Sequence, residues 1–326
     1  MRNFTELSEK YRINIEERLT ESLQLLGGSP LRESIGYVFS MGGKRVRPLL
    51  TIFAAEAVGE SNKDVINGAV AIEILHNFTL VHDDIMDNAD TRRGKTTVHI
   101  KSGVNTAILV GDQMMALAYD CLEKCSGDHL REALRIFNEG VKEVCDGQAL
   151  DESLSKSAAS SMPGYVDMIS KKTGALLMAA GKLGAVLGGG PEDEVELLGS
   201  FGMNIGIAFQ ILDDMLDLEG DAERFGKPRG LDIMEKKKNY LYLKALESLD
   251  ETKIGVVKAA YQKMTVTETE VAAVRDVYRN GGIVDSAQRE VSEYTARALA
   301  NLETFKESDG KDALIGLAKS LVQRKF

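Results

Sequence analysis

Apolar residues recur at steps of three and four through most of the chain, as in Leu19, Leu23 and Leu26 and again in Leu176, Met178, Leu183 and Val186. That spacing is the repeat of one helix face, and strand-like alternation is scarce. Pro30, Pro48, Pro163 and Pro191 each stand where a helix can begin, a place that tolerates the missing amide hydrogen. The pattern predicts helices over about 4–26, 31–41, 48–59, 63–88, 105–125, 128–154, 163–188, 192–219, 240–250, 252–263, 267–280, 283–306 and 311–324. No Pro/Ser-rich linker separates two halves, so the expectation is an all-α chain forming a single domain over residues 1–326. Two longer irregular segments, 88–97 and 220–239, carry basic residues and follow aspartate clusters. Gly181, Gly184, Gly202 and Gly206 fall inside predicted helices, where glycine costs about 1 kcal/mol relative to alanine; close helix packing is the expected compensation.

Composition narrows the function classes. With 44% apolar and 28% charged residues, the chain reads as globular rather than disordered or membrane-embedded. Its net charge is −10, from 50 acidic and 40 basic side chains, so its field repels polyanions and no nucleic-acid partner is expected. An anionic substrate would need bridging cations. Cys121, Cys125 and Cys145 cannot all pair and match no zinc spacing, so reduced, partly buried thiols are expected. Residues 1–21 hold no secretory apolar run, and no later stretch reads as ~18 uncharged apolar residues. The expectation is a cytoplasmic enzyme with no transmembrane segment.

The chemistry concentrates in two clusters, His82-Asp83-Asp84-Ile85-Met86-Asp87 and Ile211-Leu212-Asp213-Asp214-Met215-Leu216-Asp217, each ending an apolar helical run. Both contain Asp-Asp-x-x-Asp. Side chains four apart share a helix face, so Asp83 with Asp87 and Asp213 with Asp217 form two-carboxylate claws. Their repulsion disfavours the helix by a few tenths of a kcal/mol unless a cation relieves it. Oxygen ligands without a Cys or His cage select a hard ion, and magnesium takes one or two carboxylates together with phosphate oxygens. One such cluster could be a solvated helix end. Two, each followed by a basic loop (Thr91-Arg92-Arg93-Gly94-Lys95 and Gly226-Lys227-Pro228-Arg229), argue for metal-bridged phosphate. Gly42-Gly43-Lys44-Arg45-Val46-Arg47-Pro48 adds a glycine turn with three cations before a helix, a candidate metal-independent anion site.

With these motifs in order, the chain resembles the trans-isoprenyl diphosphate synthases, or polyprenyl synthetases, from about Gly42 to Lys237. The resemblance rests on Gly43-Lys44-Arg45-x-Arg47-Pro48, His76 ahead of Leu80-Val81-His82-Asp83-Asp84-x-x-Asp87, Arg92-Arg93-Gly94, Lys172-Thr173-Gly174, Phe209-Gln210-x-x-Asp213-Asp214-x-x-Asp217 and Gly226-Lys227-Pro228-x-Gly230-x-Asp232. It implies the isoprenoid synthase fold, an all-α domain of roughly 12–13 helices around a deep catalytic cavity, usually as a homodimer. It implies a magnesium-dependent head-to-tail condensation of isopentenyl diphosphate with dimethylallyl, geranyl or farnesyl diphosphate, with three ions to a site and manganese able to substitute. Asp83, Asp87 and Asp213 would ligate metal, supported by Asp84, Asp214 and Asp217. Arg92, Lys172 and Lys227 would contact the allylic diphosphate, and Lys44, Arg47, His76 and Arg93 would hold isopentenyl diphosphate. Thr173 and Gln210 resemble the oxygens lining the developing cation. Lys237 fits a further lysine position, while Asn239 replaces the hydroxyl residue beside which the following loop closes. Arg324 and Lys325 could cover the isopentenyl site from the chain end.

In the implied chemistry the allylic carbon ionises, the isopentenyl double bond attacks, and the released diphosphate accepts the proton, with water excluded. A terpene cyclase needs no isopentenyl site, so the basic turn and the second complete claw argue against one; intact claws argue against a non-catalytic subunit. His82 and His99 are left unassigned, since a histidine beside apolar residues is more often a hydrogen-bonded structural group than a catalyst. Chain length should be set below Asp83: Phe78 lies about 7.5 Å deeper along the helix, with Thr79 and Leu75 closer to the Asp83 face. An aromatic five positions before the first aspartate resembles archaeal-type geranylgeranyl diphosphate synthases, with farnesyl or geranylfarnesyl diphosphate as alternative products. Cys121 or Leu122 on a facing helix is the other candidate floor.

Overall fold

The computed structural model describes residues 4–59, 62–156, 160–219 and 230–322. Helices account for nearly all of its regular structure: α1 (Phe4–Ser22, continued by a tight turn at Leu23–Leu26), α2 (Arg32–Ser40), α3 (Val46–Val58), α4 (Lys63–Met86), α5 (Val98–Ser102), α6 (Val104–Leu122), α7 (Gly127–Lys156) and α8 (Met162–Ile169). A π turn at Ser170–Gly174 leads to α9 (Ala175–Leu187), α10 (Glu192–Glu219), α11 (Leu231–Met234), α12 (Tyr240–Ser248), α13 (Glu251–Gln262), α14 (Glu268–Asn280), α15 (Ile283–Ala300) and α16 (Asp309–Val322). Among the described residues the strands are two dipeptides, β1 (Thr91–Arg92) and β2 (Lys95–Thr96), paired antiparallel.

The predicted helices are present, and the structure adds the short α5 and α11. The element expected over 163–188 is interrupted by the π turn, and the irregular segment 88–97 holds the hairpin. The turn of that hairpin is Arg93-Gly94, both at positive φ (52° and 74°), which closes a two-residue turn in the sense that matches strand twist.

The described chain forms two compact units. The first comprises residues 1–142, 176–202 and 301–317. Its axis is α4, which starts at an Asn62 side-chain cap on the amides of Asp64 and Val65 and buries Val65, Ile72, Ile74 and Leu75. Such a cap is worth about 1 kcal/mol. Helix α6 runs antiparallel beside it, with Cys125 just past its end against the Asp64 carbonyl and Ile108 near its start against His82. Gly184 lies so near the Thr51 carbonyl that any Cβ would collide with it, and Gly181 and Gly202 press likewise on Leu198 and Leu177. Close packing therefore accounts for these helical glycines.

The second unit comprises residues 143–175, 203–300 and 318–326. Its core gathers Tyr165, Ile169, Ile211, Met215, Tyr240 and Val274, the last from α14, whose Thr267–Glu270 capping box fixes its start. Helices α4 and α10 are by length and composition apolar enough to cross a membrane, but 67% and 61% of those windows is buried inside the protein. Their apolar surface is spent on helix packing.

Candidate active site

Each aspartate cluster sits at the C-terminal end of its helix. Asp83 and Asp84 lie in the last turn of α4 and Asp87 is its C-cap; Asp213, Asp214 and Asp217 lie in the last two turns of α10. Carboxylates at that end oppose the helix dipole as well as one another. In both clusters the first aspartate reaches solvent and the second is buried: Asp83 is partly exposed and Asp213 exposed, whereas Asp84 and Asp214 are 4% and 5% exposed. Asp87 is exposed and Asp217 half-buried.

In the first unit, the hairpin serves two groups at once. Arg92 donates from Nε to Asp84 Oδ1 at 2.6 Å, and its Nη2 lies 3.6 Å from Asp83 Oδ2. Burial raises the Asp84 pKa, against the opposing pull of Arg92. The neighbouring Arg93 turns the other way and donates to the Gly42 carbonyl, packing over Gly43. Lys95 adds a bond to the Ser40 carbonyl at 2.7 Å, and Tyr37 donates to the Thr96 carbonyl at 2.8 Å. The basic turn and the hairpin are thus tied together by side chains that donate to each other's backbone carbonyls.

Of the three cations in that turn, Arg45 faces inward. It is 1% exposed, at a left-handed φ of 51°, and binds both oxygens of Glu16 (2.7 and 3.0 Å), Glu73 (2.7 Å) and the Phe39 carbonyl (3.1 Å). Lys44 is exposed. Arg47 stands 3.1 Å from His76 Nε2, and among the described residues no carboxylate lies within ion-pair distance of it. Burial lowers the Arg47 pKa to about 10, opposed by Glu73 and assisted by Arg93, so it remains a cation at neutral pH. Burial first, then Arg47, Arg93, Arg92 and Arg45, holds His76 well below the usual histidine range; the ring is neutral and can accept from Arg47. A half-buried cation with no carboxylate within ion-pair distance among the described residues favours an added anion.

In the second unit, Asp214 is held without a cation. Tyr165 donates to its Oδ2 at 2.6 Å, the Tyr240 amide to the same oxygen at 3.0 Å, and Gln210 Nε2 to Oδ1 at 3.2 Å. Burial first and the charge of Asp232 second push its pKa up, against those donors. Thr173, in the π turn, donates to Gln210 Oε1 at 2.9 Å. The turn is possible because Gly147 on α7 lies against the Lys172 backbone, where a Cβ would not fit. Lys172 itself pairs with Asp151 at 2.6 Å. Asp217 accepts from the amides of Asp232 (3.0 Å, side chain) and Gly230 (2.9 Å, backbone), and Lys237 pairs with Asp232 at 3.3 Å and with Glu235 at 3.0 Å. Asn239 both caps α12 through the Tyr242 amide and donates to Asp232 Oδ2 at 3.0 Å. An asparagine therefore closes this segment in place of the expected hydroxyl.

Sequence reasoning missed Asp151, Tyr165, Tyr240, Glu16 and Glu73. The one visible signal was Gly147 and Asp151, a helical turn apart on one face of α7. Lys227, Arg324 and Lys325 lie outside the described residues. His82 does bond, to the Ile108 carbonyl at 3.2 Å, but the buried His99 ring makes no hydrogen bond among the described residues. Cys121 and Cys125 are buried, with burial pushing their thiols up to about 11 and about 12, whereas Cys145 is exposed. Finally, the pairing of Asp64 with Cys125 and of His82 with Ile108 puts Cys121 and Leu122 opposite the start of α4, about 15 Å below Phe78. Phe78, 7% exposed, packs edge-on against His82 with ring centres 4.8 Å apart; Leu75 is buried and Thr79 half-buried.

Residues 29–278 match the Polyprenyl synthetase family. The chain belongs to that family. This polyprenyl synthetase is 35% identical over 330 residues to a short chain isoprenyl diphosphate synthase of Methanothermobacter thermautotrophicus, covering 99% of each chain. It is 35% identical to a geranylgeranyl diphosphate synthase of Methanosarcina mazei, covering 96% of this chain and 95% of that one. A solved geranylgeranyl pyrophosphate synthase superposes with a TM-score of 0.92 at 38% identity, covering 100% of both chains. The polyprenyl synthetase accordingly has the all-α isoprenoid synthase fold and is a prenyltransferase.

The donors available fit a hard divalent cation. Asp83, Asp87 and Asp213 offer oxygen ligands at helix ends where negative charge is disfavoured. Among the described residues no group of three or more His, Cys, Asp or Glu side chains is placed to hold a metal ion on its own. Magnesium takes one or two carboxylates, with substrate oxygens and water completing its shell.

Proposed function

We propose that this prenyltransferase condenses isopentenyl diphosphate with dimethylallyl, geranyl and farnesyl diphosphate in turn and releases geranylgeranyl diphosphate. The observation that carries the reading is the contrast served by one hairpin: Arg92 on the aspartates, and Arg93 near an Arg47 that has no carboxylate within ion-pair distance among the described residues. The carboxylates take cations; the arginines take an anion directly.

Lys44, Arg47, His76 and Arg93 hold isopentenyl diphosphate. Arg92, Lys172, Lys227 and Lys237 contact the allylic diphosphate. Asp83, Asp87 and Asp213 would hold magnesium, with Asp84, Asp214 and Asp217 in support. Bound magnesium supplies positive charge to the leaving diphosphate. Thr173 and Gln210 offer oxygen to the allylic carbon as its bond to diphosphate breaks, and neutral His76 keeps Arg47 aimed without adding a charge of its own. The isopentenyl double bond then forms the new carbon–carbon bond, and the departing diphosphate takes the proton.

Phe78 is the floor for the growing tail. With magnesium, isopentenyl diphosphate and farnesyl diphosphate, the wild-type product is expected to be the C20 diphosphate, and Phe78→Ala should shift products to C25 and beyond by chromatography of the dephosphorylated alcohols. A cyclic hydrocarbon, or no elongation, would overturn the function; an active variant with unchanged products would overturn the floor.

The chain acts as one domain in the cytoplasm, and as a homodimer. Ile100, Val104, Ile108 and Leu109, exposed on α5 and α6, form the apolar face for a second copy. Sedimentation equilibrium should give twice the 35.6 kDa chain mass, and a monomer at micromolar concentration would refute the dimer.

A further inference from the structure

Thr173 and Gln210 can each face a cation in a helpful or a harmful way, because a hydroxyl or amide offers lone pairs on one side and hydrogen on the other. The hydrogen bonds behind them decide which. Asp214 accepts from Tyr165 at 2.6 Å and from the Tyr240 amide at 3.0 Å through one oxygen, and Gln210 turns its NH2 group to the other, at 3.2 Å. The amide oxygen then faces Thr173 and accepts its only hydroxyl hydrogen at 2.9 Å. What the Thr173 oxygen has left is lone pairs.

We propose that Tyr165 and Asp214 are positioning residues for the ionisation step: they lock the Gln210 amide so that Thr173 turns lone pairs, not hydrogen, toward the developing allylic cation. Neither touches substrate. Tyr165 is held in place by its own helix, whose start is capped by Ser161 and which carries Pro163 in its first turn. Its ring packs edge-on against Tyr240, with centres 6.4 Å apart. Burial and the neighbouring Asp214 keep its hydroxyl protonated and therefore a donor.

The proposal rests on Thr173 and Gln210 facing the allylic carbon, and the experiment separates the two ideas. Isothermal titration calorimetry with magnesium compares two unreactive allylic analogues: one with sulfur for the bridging oxygen, and one with a protonated amine in place of the reacting carbon. Wild type should prefer the ammonium analogue. Thr173→Val, Tyr165→Phe and Asp214→Asn should each lower that preference about tenfold while Tyr165→Phe binds the sulfur analogue within about twofold of wild type. Tyr165→Phe should also lower kcat about tenfold with both KM values unchanged. Asp214→Asn keeps the test open should Tyr165→Phe not fold, because an asparagine amide can donate to Gln210 and release the lock. No preference in wild type, or one that survives in Thr173→Val, would overturn the reading of Thr173. Loss in Thr173→Val with the preference intact in Tyr165→Phe and Asp214→Asn would overturn the lock alone. Equal weakening of both analogues in Tyr165→Phe and Asp214→Asn would make Tyr165 structural and overturn it as well.

Discussion

The clusters at Asp83–Asp87 and Asp213–Asp217 repeat one spacing, yet the buried middle aspartate is stabilised in opposite ways. Asp84 has a charged partner, Arg92, which also reaches Asp83. Asp214 has a tyrosine hydroxyl, a backbone amide and a glutamine amide. The first cluster is therefore tied by charge to a hairpin whose next residue, Arg93, belongs to the group proposed to bind isopentenyl diphosphate. The second is tied by neutral hydrogen bonds to Thr173. Equal motifs thus hand their buried carboxylate different tasks: one organises charge, the other polarity.

That contrast can be broken by removing each partner. Arg92→Met leaves a buried carboxylate without a counter-charge, a loss of about 3–5 kcal/mol, whereas Tyr165→Phe removes one of three donors, about 1.5 kcal/mol. Urea unfolding of the metal-free protein at pH 7 reads both. The Asp84 pKa is raised in the folded state, so its ionisation costs stability as pH rises through that value; the Arg92→Met deficit should shrink in acid. Equal losses in the two variants would remove the distinction drawn here.

A smaller effect sharpens the charged side of the comparison. The His76 pKa is depressed on folding, so the unfolded chain takes up the proton first, and stability is lost as pH falls below about 6.5, by at most about 1.4 kcal/mol per pH unit. His76→Gln, which can still accept from Arg47, should flatten that slope in urea melts between pH 7 and 5.5. An unaltered slope would mean that His76 is not the group held neutral.

The helical periodicity exposed the fold because most helices bury one face, and the aspartate spacing exposed the clusters because both claws are local. Less local features were hidden. The π turn carrying Lys172 and Thr173 is a one-residue slip that a 3.6-residue repeat does not register. Two-residue strands are too short for alternation, so the hairpin around Arg93-Gly94 read as a loop. The partners that decide each middle aspartate, Arg92 and Tyr165, lie 8 and 49 residues away in sequence, and only the nearer one fell within a motif. Arg45 misled for a related reason: its inward turn depends on Glu16 and Glu73, from two other helices.

The central claim is that the aspartates bind diphosphate through metal while the arginine group binds it directly. Calorimetry on wild type, Asp83→Ala, Asp213→Ala and Arg47→Ala, with the sulfur allylic analogue and with isopentenyl diphosphate, in magnesium and in chelator, tests it most directly. The account predicts that the analogue binds only with magnesium and is lost in both aspartate variants. It predicts that Arg47→Ala weakens isopentenyl diphosphate alone, by about 10- to 150-fold. Analogue binding that survives chelation or either aspartate substitution, or equal weakening of both ligands in Arg47→Ala, would contradict it.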